Sequence, residues 1–227
     1  RARHEGRAVT PIGIVAVASG AGLSDALRGM GATVVVPGGP TFNPSTQDIL
    51  TAVESVPQQE VLVLPNDGNV IGTAQQVEKL TGKHVRVVPS RSVPQGIAAL
   101  AAYNFGAGLD DNAELMTRAA ATVRTIEVTR ATRDAAIGGV TVHAGQYIGL
   151  IDGDLHAGGD DPVQVVLDSL GQIDLSTADL VTIFTGEGSN PDIVRRLTEA
   201  LAAAYPDIEV EVTAGDQPHY PLIVAVE

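Results

Sequence analysis

The sequence PGGPTFNPS at residues 37–45 lies between an apolar run at residues 32–36 and a helical pattern at residues 46–56. The apolar run is short and rich in valine, which is typical of a buried strand. Two later loops, at residues 65–69 and 89–96, have the same place between a strand pattern and a helix pattern. Because the carboxyl ends of parallel strands meet at one edge of a sheet, we predict that the three loops form one edge where ligands or partners bind.

Strand and helix patterns alternate four times in the first half of the chain, with short connections between them. Such alternation predicts an α/β architecture with a parallel, doubly wound sheet and right-handed crossovers. Asn43 is well placed to cap the second helix, and Pro44 suits its first turn. The apolar runs that predict the four strands lie at residues 12–18, 32–36, 61–64 and 85–88.

The pattern changes in the second half. Residues 123–131 alternate between two faces, which predicts a strand with one solvated face. Residues 137–151 predict short strands in a meander or a barrel-like ribbon, and an amphipathic helix is predicted at residues 191–204. We therefore predict an α+β second half with a mixed sheet. The predicted organisation is a linker at residues 1–11, an α/β parallel-sheet domain at 12–108 and an α+β domain at 109–227.

Composition and charge narrow the class of protein to which the chain can belong. The chain has 14 basic and 27 acidic residues and a formal net charge of −13, which disfavours binding to nucleic acid and would steer a partner with a basic face towards it. It contains no cysteine, which excludes disulfides and suits the cytoplasmic location that we expect. No apolar run of about 18 residues or more is present, so no transmembrane segment is predicted. The chain does not begin with Met, and we expect it to be a piece of a longer protein.

The sequence contains no complete catalytic or metal-binding motif. Gly20-Ala21-Gly22 matches only part of a dinucleotide-binding fingerprint, and a turn that opens a helix is favoured. Neither a phosphate-binding P-loop, nor a paired-histidine metal motif, nor a nucleophile elbow occurs. Asp152-Gly153-Asp154 and Asp160-Asp161 could supply oxygens to a cation, but solvated turns with a helix-capping aspartate are the favoured interpretation. We predict no catalytic residue and no metal ligand.

Polar side chains and glycines of the three loops, together with a turn before the last strand, are the candidate contacts for a ligand or partner. For Asn43 and Ser45, helix capping and anion binding are both open, since one group can do both. For His219, a surface position in the turn is favoured over an acid–base or contact role. The candidate binding residues are Gly38, Gly39, Thr41, Asn43, Ser45, Asn66, Asn69, Ser90, Ser92, Gln95, Gly96, Gln217, His219 and Tyr220.

At these loops the sequence resembles a known family. GGPTFNPSTQDI at residues 38–49 resembles a GGQTMNPSTEDI-type segment of the A component of bacterial fatty acid kinases, a dihydroxyacetone-kinase-like fusion protein. LPNDGNVI at residues 64–71 is similar to its LPNNxNI segment, and VPSRSVPQGIAA at residues 88–99 to its PTxxxPQGxAA segment. YPDIEVE at residues 205–211 and GDQPHYP at residues 215–221 look like its tail. The match runs in order over nearly the whole chain.

The resemblance implies a function for the region. It corresponds to the C-terminal part of the family, which implies a fold like that of DegV-type lipid-binding proteins and engagement of the fatty-acid-carrying B-type protein. ATP and Mg are expected only on a separate kinase domain, because Asp152-Gly153-Asp154 is followed by Leu155-His156 and the DGDTGxN signature is missing. The fragment is thus expected to be non-catalytic and to hold no cofactor, although its parent resembles an ATP-dependent phosphotransferase.

Two alternatives to this docking role are open. The first is a stand-alone binding protein or enzyme for a small anionic or lipid ligand, bound at the strand-end loops. The second is a module that forms a homo-oligomer.

Overall fold

A computed structural model describes residues 11–39 and 42–227 of the chain, so the predicted linker lies outside the described residues except for its last position. The first half forms a four-stranded sheet in the order β2-β1-β3-β4, and all three pairings are parallel. The prediction of a parallel α/β sheet is thereby confirmed. The elements of this half are β1 (Gly13–Ala18), α1 (Ala21–Gly29), β2 (Val34–Pro37), α2 (Thr46–Ser55), β3 (Glu60–Leu64), α3 (Gly68–Val77), β4 (His84–Val87), α4 (Val93–Ala101) and α5 (Leu109–Thr122).

Helices cover both faces of this sheet, as its apolar strands require. Ile14 and Ala16 of β1 pack in a cluster with residues of α1, α4 and α5. Val15 and Val17, which alternate with them, pack on the opposite face against α2 and α3. The helix α5 follows the predicted boundary at 108/109, which stays a prediction, and packs on the first sheet through Met116.

The second half forms a mixed six-stranded sheet in the order β11-β10-β12-β5-β8-β9. The pair β10–β11 is parallel, and the other four pairings are antiparallel. The strands β6 and β7 form a separate hairpin. The elements are β5 (Arg124–Arg130), β6 (Ala135–Ile137), β7 (Val140–Val142), β8 (Tyr147–Ile151), β9 (Asp154–Gly159), α6 (Pro162–Leu170), β10 (Leu180–Thr185), α7 (Pro191–Ala204), β11 (Glu209–Ala214) and β12 (Leu222–Val226).

The two faces of the second sheet are covered differently. Ile126 and Val128 of β5 belong to a core with residues of α6 and α7. On the other face, Ile223 and Phe184 pack against Leu23 of α1. The prediction that one face of β5 is solvated is wrong, because Thr125 is only 1% exposed on the face that meets the first half.

Glycines bring the two halves of the molecule into close contact at α1. An ideal Cβ on Gly22 would lie 2.0 Å from the backbone oxygen of Ala214, and one on Gly20 would lie 2.5 Å from that of Gly215. The backbone N–H of Leu23 donates to Gly215 O at 3.0 Å. The glycines of the partial dinucleotide motif therefore permit backbone packing between the halves, and the first turn of α1 is occupied by the protein itself.

The cap of α2 differs from the prediction. Ser45, not Asn43, is the N-cap, and the helix begins at Thr46, so Pro44 precedes the helix. Ser45 and Asp48 form a capping box, in which each side chain accepts a hydrogen bond from the other's backbone N–H. The Ser45 hydroxyl, which donates to Asp48 Oδ2 at 2.6 Å, and the Ser45 backbone N–H, which donates to the same oxygen at 2.8 Å, lower the pKa of Asp48. An aspartate three residues beyond a serine completes the box, whereas Asn43 has no equivalent partner at Thr46.

Across residues 11–39 and 42–227, no helix combines the length and apolar character needed to cross a bilayer.

Candidate functional site

A cleft of about 430 Å³ lies between the two halves of the molecule. The loops after β3 and β4, where α3 and α4 begin, form one wall. Strands β5 and β8 and the turn after β8 form the other wall. The residues that line the cleft are Asp67, Gly68, Asn69, Arg91, Ser92, Thr125, Glu127, Leu150, Asp152, Gly153, Asp154 and Tyr220.

The half-buried carboxylate of Glu127 dominates the electrostatics of the cleft. Burial, followed by the negative charges of Asp67 and Asp152, raises the pKa of Glu127 from 4.5 to about 7. Burial, Glu127 and Asp67 also raise the pKa of the Tyr220 hydroxyl to about 12. Both raised pKa values indicate that adding negative charge to this cleft is unfavourable.

Two other acidic side chains of the cleft, those of Asp67 and Asp152, accept backbone hydrogen bonds. Asp67, which is 8% exposed, caps α3 by accepting a hydrogen bond from Asn69 N at 2.8 Å. Asp152 accepts one from Thr125 N at 3.0 Å and forms an ion pair with Arg124. Within the described residues, neither Asp67 nor Glu127 has an ion pair of this kind. In the part of the lining that the structure describes, Arg91 is the one basic residue, against four acidic residues, so the cleft has an excess of negative charge.

Asn66 ties the carboxyl ends of three strands together. Its Nδ2 donates to Val17 O at 2.9 Å, and its Oδ1 accepts from Ser90 Oγ at 2.7 Å. Its backbone N–H donates to the same Ser90 hydroxyl at 3.1 Å. Asn66 adopts a left-handed backbone conformation with φ 55, and Ser90 is fully buried. These two predicted binding residues are thus part of the scaffold behind the cleft.

The start of α4 is joined to the second half by buried hydrogen bonds. Ser92 caps the helix, and its hydroxyl lies 2.7 Å from the Thr125 hydroxyl on β5. Gln95 donates to Val123 O at 3.1 Å and accepts from Arg91 N at 2.8 Å. A Cβ on Gly96 would lie 2.2 Å from Asn66 Oδ1, so this position requires glycine. All four predicted residues in this loop, Ser90, Ser92, Gln95 and Gly96, are buried, and of these four only Ser92 lines the cleft.

The first loop reaches the inner end of the cleft. Gly38 and Gly39 line a small cavity of about 30 Å³ with Asn66, Gln217 and Tyr220. Asp67, Glu127 and Tyr220 border both this cavity and the cleft, so the two lie next to each other. A space of this size has room for about one or two water molecules.

The residues of the turn before β12 differ in burial and in the spaces that they line. Gln217, 2% exposed, donates from Nε2 to Phe184 O and Tyr220 O at 3.0 and 3.1 Å. Tyr220 lines the cleft, and exposed His219 lines a neighbouring groove of about 750 Å³. The carbonyl of His219 accepts from Thr129 Oγ1 at 2.7 Å, and its φ of 67 is left-handed. Gln217 therefore shapes the turn, and His219 and Tyr220 are presented by it.

The remaining predicted residues do not line the interior of the cleft. Asn43 and Ser45 are exposed on the approach to α2, and Asn69 lies at the mouth of the cleft, in the first turn of α3. Thr41 lies outside the described residues.

Sequence reasoning missed the acidic members of the site. Asp67, Glu127 and Asp152 are absent from the predicted contacts, although Asp67 lies in one of the three loops and Asp152 in an acidic motif. Asp67 directly follows Asn66 at a strand end, which is an available signal. The position of Glu127 has no such signal, since alternation along β5 does not tell which face meets another part of the chain.

Among the residues that the structure describes, no group of three or more His, Asp or Glu side chains is arranged to hold a metal ion. Asp161 is the N-cap of α6, as the helix-capping interpretation predicts, and it pairs with Arg196.

Comparison with known proteins identifies the family. The profile for C-terminal regions like that of the A component of fatty acid kinase matches residues 13–227. The chain belongs to this family. The uncharacterized protein SH1689 of Staphylococcus haemolyticus is 36% identical over 214 residues, which are 94% of this chain and 39% of that protein. Protein YloV of Bacillus subtilis is 36% identical over 217 residues, which are 96% of this chain and 39% of YloV. The chain therefore spans well under half the length of these relatives.

Solved structures show which fold this family member shares. The DegV family protein Cg2579 of Corynebacterium glutamicum superposes with a TM-score of 0.68 at 14% identity, covering 96% of this chain and 98% of that one. The dihydroxyacetone kinase of C. freundii superposes with a TM-score of 0.66 at 16% identity, covering 96% of this chain and 48% of that one. The fatty acid kinase B3 protein of Streptococcus pneumoniae, loaded with linoleic acid, superposes with a TM-score of 0.62 at 13% identity. The superposition covers 95% of this chain and 99% of that one. The predicted family resemblance and the DegV-like architecture are thereby confirmed.

Proposed function

We propose that this chain is the docking module of a fatty acid kinase. It binds a fatty-acid-carrying, DegV-like B-type protein and holds the acyl carboxylate of that protein where ATP, bound with Mg on a separate kinase domain, can phosphorylate it. Positioning of this kind supplies a large part of the rate of a phosphoryl transfer. The observation that carries the proposal is the family match over residues 13–227.

The chain's own loops do not fit ATP and Mg. Arg91 is the only basic residue in the three strand-end loops, and the aspartate-rich signature of the kinase domain is missing from the sequence. The cleft is also acidic, through Asp67 and Glu127, which opposes a triphosphate. We therefore assign nucleotide and metal binding to a part of the protein outside this chain.

The cleft is also a poor place for a free fatty acid. The carboxylates of Asp67 and Glu127 would repel an anionic head group. The cavity at the inner end of the cleft, about 30 Å³, has no room for an acyl chain. These features support a module that contacts a lipid carrier over the alternative of a stand-alone binding protein for an anionic or lipid ligand.

Calorimetric titration tests the proposal. The chain, with its fold verified by circular dichroism, is titrated with a B-type protein loaded with a fatty acid, and in a parallel cell with the fatty acid alone. We expect saturable binding of the loaded protein, with a dissociation constant of about 10 µM or tighter, a free energy of about −7 kcal/mol. Binding of the free fatty acid with no binding of the loaded protein would refute the docking role and favour the alternative.

A further inference from the structure

The first of the three strand-end loops carries an exposed aromatic side chain. Phe42 is 67% exposed, whereas Phe184 is buried in the contact between the halves. Phe105 is similarly exposed, at 66%, but its ring packs edge-on against Tyr103 with 5.0 Å between the ring centroids. In the part of the chain that the structure describes, no ring contacts Phe42.

Backbone contacts hold Phe42 and the residues that follow it. Gly39 and Phe42 exchange two backbone hydrogen bonds of 3.1 and 2.9 Å. Pro44 is buried against Gly38, where a Cβ would lie 2.7 Å from its Cδ. Ser45 follows as the N-cap of the capping box. A large aromatic group on a fixed backbone loses little conformational freedom on binding, which is the usual character of an interface anchor.

The position of Phe42 connects it to the acidic cleft. Gly38 and Gly39, in the same loop, border the small cavity together with Asp67 and Glu127. An isolated exposed apolar residue is ordinary on a protein surface. Phe42 differs because its backbone is hydrogen-bonded to Gly39, which borders the small cavity at the carboxyl edge of a parallel sheet, where ligands bind.

Charge identifies the chemistry of the partner surface. Asp67 and Glu127 lack ion pairs of their own in the described part of the chain, and Asp154 adds a third, exposed carboxylate at the mouth of the cleft. The chain as a whole has a formal charge of −13. A basic face is therefore favoured on the partner, both in its approach and in its contact.

We propose that Phe42 and the acidic cleft form one docking surface for the fatty-acid-carrying protein, in which Phe42 enters an apolar pocket of that protein and one of its lysine or arginine side chains enters the cleft. This inference rests on the proposed function and adds the surface and the chemistry of the contact.

Substitution of two equally exposed phenylalanines tests the anchor. Titration with the loaded B-type protein compares Phe42→Ala with Phe105→Ala. The helix α4 begins at the carboxyl edge of the sheet and runs away from it, so Phe105, which follows α4, lies at the opposite edge. We expect Phe42→Ala to weaken binding about tenfold or more, the effect of an interface hot spot, and Phe105→Ala to change it less than about twofold.

Substitution of carboxylates tests the cleft. Glu127→Gln is compared with Asp111→Asn, an exposed change in α5 at the opposite edge. At pH about 8.5, where Glu127 is ionised, we expect Glu127→Gln to weaken binding about fivefold or more and to reduce its dependence on salt. Asp111→Asn should leave the dissociation constant and its dependence on salt within about twofold of those of the unmodified chain.

The outcomes separate this inference from the proposed function. No binding by the unmodified chain refutes the proposed function itself. If the unmodified chain binds but Phe42→Ala matches Phe105→Ala, or Glu127→Gln matches Asp111→Asn, the docking surface is wrong and the function stands. A dimer in light scattering that Phe42→Ala dissociates would also refute the inference, because the occupant would then be a second copy of the chain.

Discussion

Replacing Glu127 by glutamine, which keeps the shape of the side chain and removes its charge, should stabilise the protein above neutral pH. The pKa of Glu127 is raised from 4.5 to about 7 in the folded protein. Between these pH values the unfolded chain has released a proton that the folded protein retains, so stability falls as the pH rises. The full penalty is present above pH about 7 and amounts to roughly 3 kcal/mol, since a tenfold change in proton affinity equals about 1.4 kcal/mol.

Urea denaturation at pH about 4.5 and about 8.5 measures this effect. The gain in free energy of unfolding from Glu127→Gln should be about 2–3 kcal/mol at the higher pH and close to zero at the lower pH. Glu187→Gln, a change of an exposed carboxylate in the turn after β10, is the control and should change stability by less than about 0.5 kcal/mol at either pH. The other charged groups facing Glu127, among them Asp67, Asp152 and Arg91, are the same in both variants.

A gain for Glu127→Gln that is equal at the two pH values would refute this reasoning. It would mean that the carboxylate is already hydrated in the folded protein and that the cleft imposes no penalty on negative charge. An anionic ligand would then be admissible in the cleft, because its exclusion depends on the same penalty.

Two pairs of substitutions test the local structure by urea denaturation. Gly96→Ala should cost about 2–4 kcal/mol, because the new Cβ would lie 2.2 Å from Asn66 Oδ1. Gly72→Ala, inside α3 with nothing within 4 Å of the new Cβ, should instead stabilise by about 0.5–1 kcal/mol, and a loss there would contradict the open surroundings. Ser45→Ala should cost about 1 kcal/mol through loss of the N-cap, while Asn43→Ala changes stability by less than about 0.5 kcal/mol. A larger loss of stability for Asn43→Ala than for Ser45→Ala would instead identify Asn43 as the cap.

The architecture was predictable because its signals are local. The four apolar runs of the first half are each followed by a helix pattern, and short connections leave little choice except a parallel sheet. The mixed sheet of the second half followed from alternating segments separated by a helix. The three strand-end loops were expected to meet, and the structure places Asn66 in hydrogen-bonding contact with Ser90 and beside Gly38.

The detail of the site was less predictable because it depends on contacts between distant segments. Asn66, Ser90 and Gln95 are polar loop residues that suit a binding role, yet their side chains are used to join strands and the two halves. Glu127 was unexpected as a site residue for the opposite reason, since a carboxylate in an alternating strand is ordinarily solvated. Only the packing of β5 against the first half places Glu127 in the cleft.

The contact between Gly22 and Ala214 has a mechanical consequence. It fastens the first turn of α1 to the end of β11 at the level of the backbone, where no side chain can yield. Any widening of the space between the halves that keeps the hydrogen bond from Leu23 N to Gly215 O intact therefore has to be a rotation about this contact. A larger residue at Gly22 would push α1 away from the end of β11. This displacement would change the spacing between β5 and the start of α4, where the two halves form the cleft.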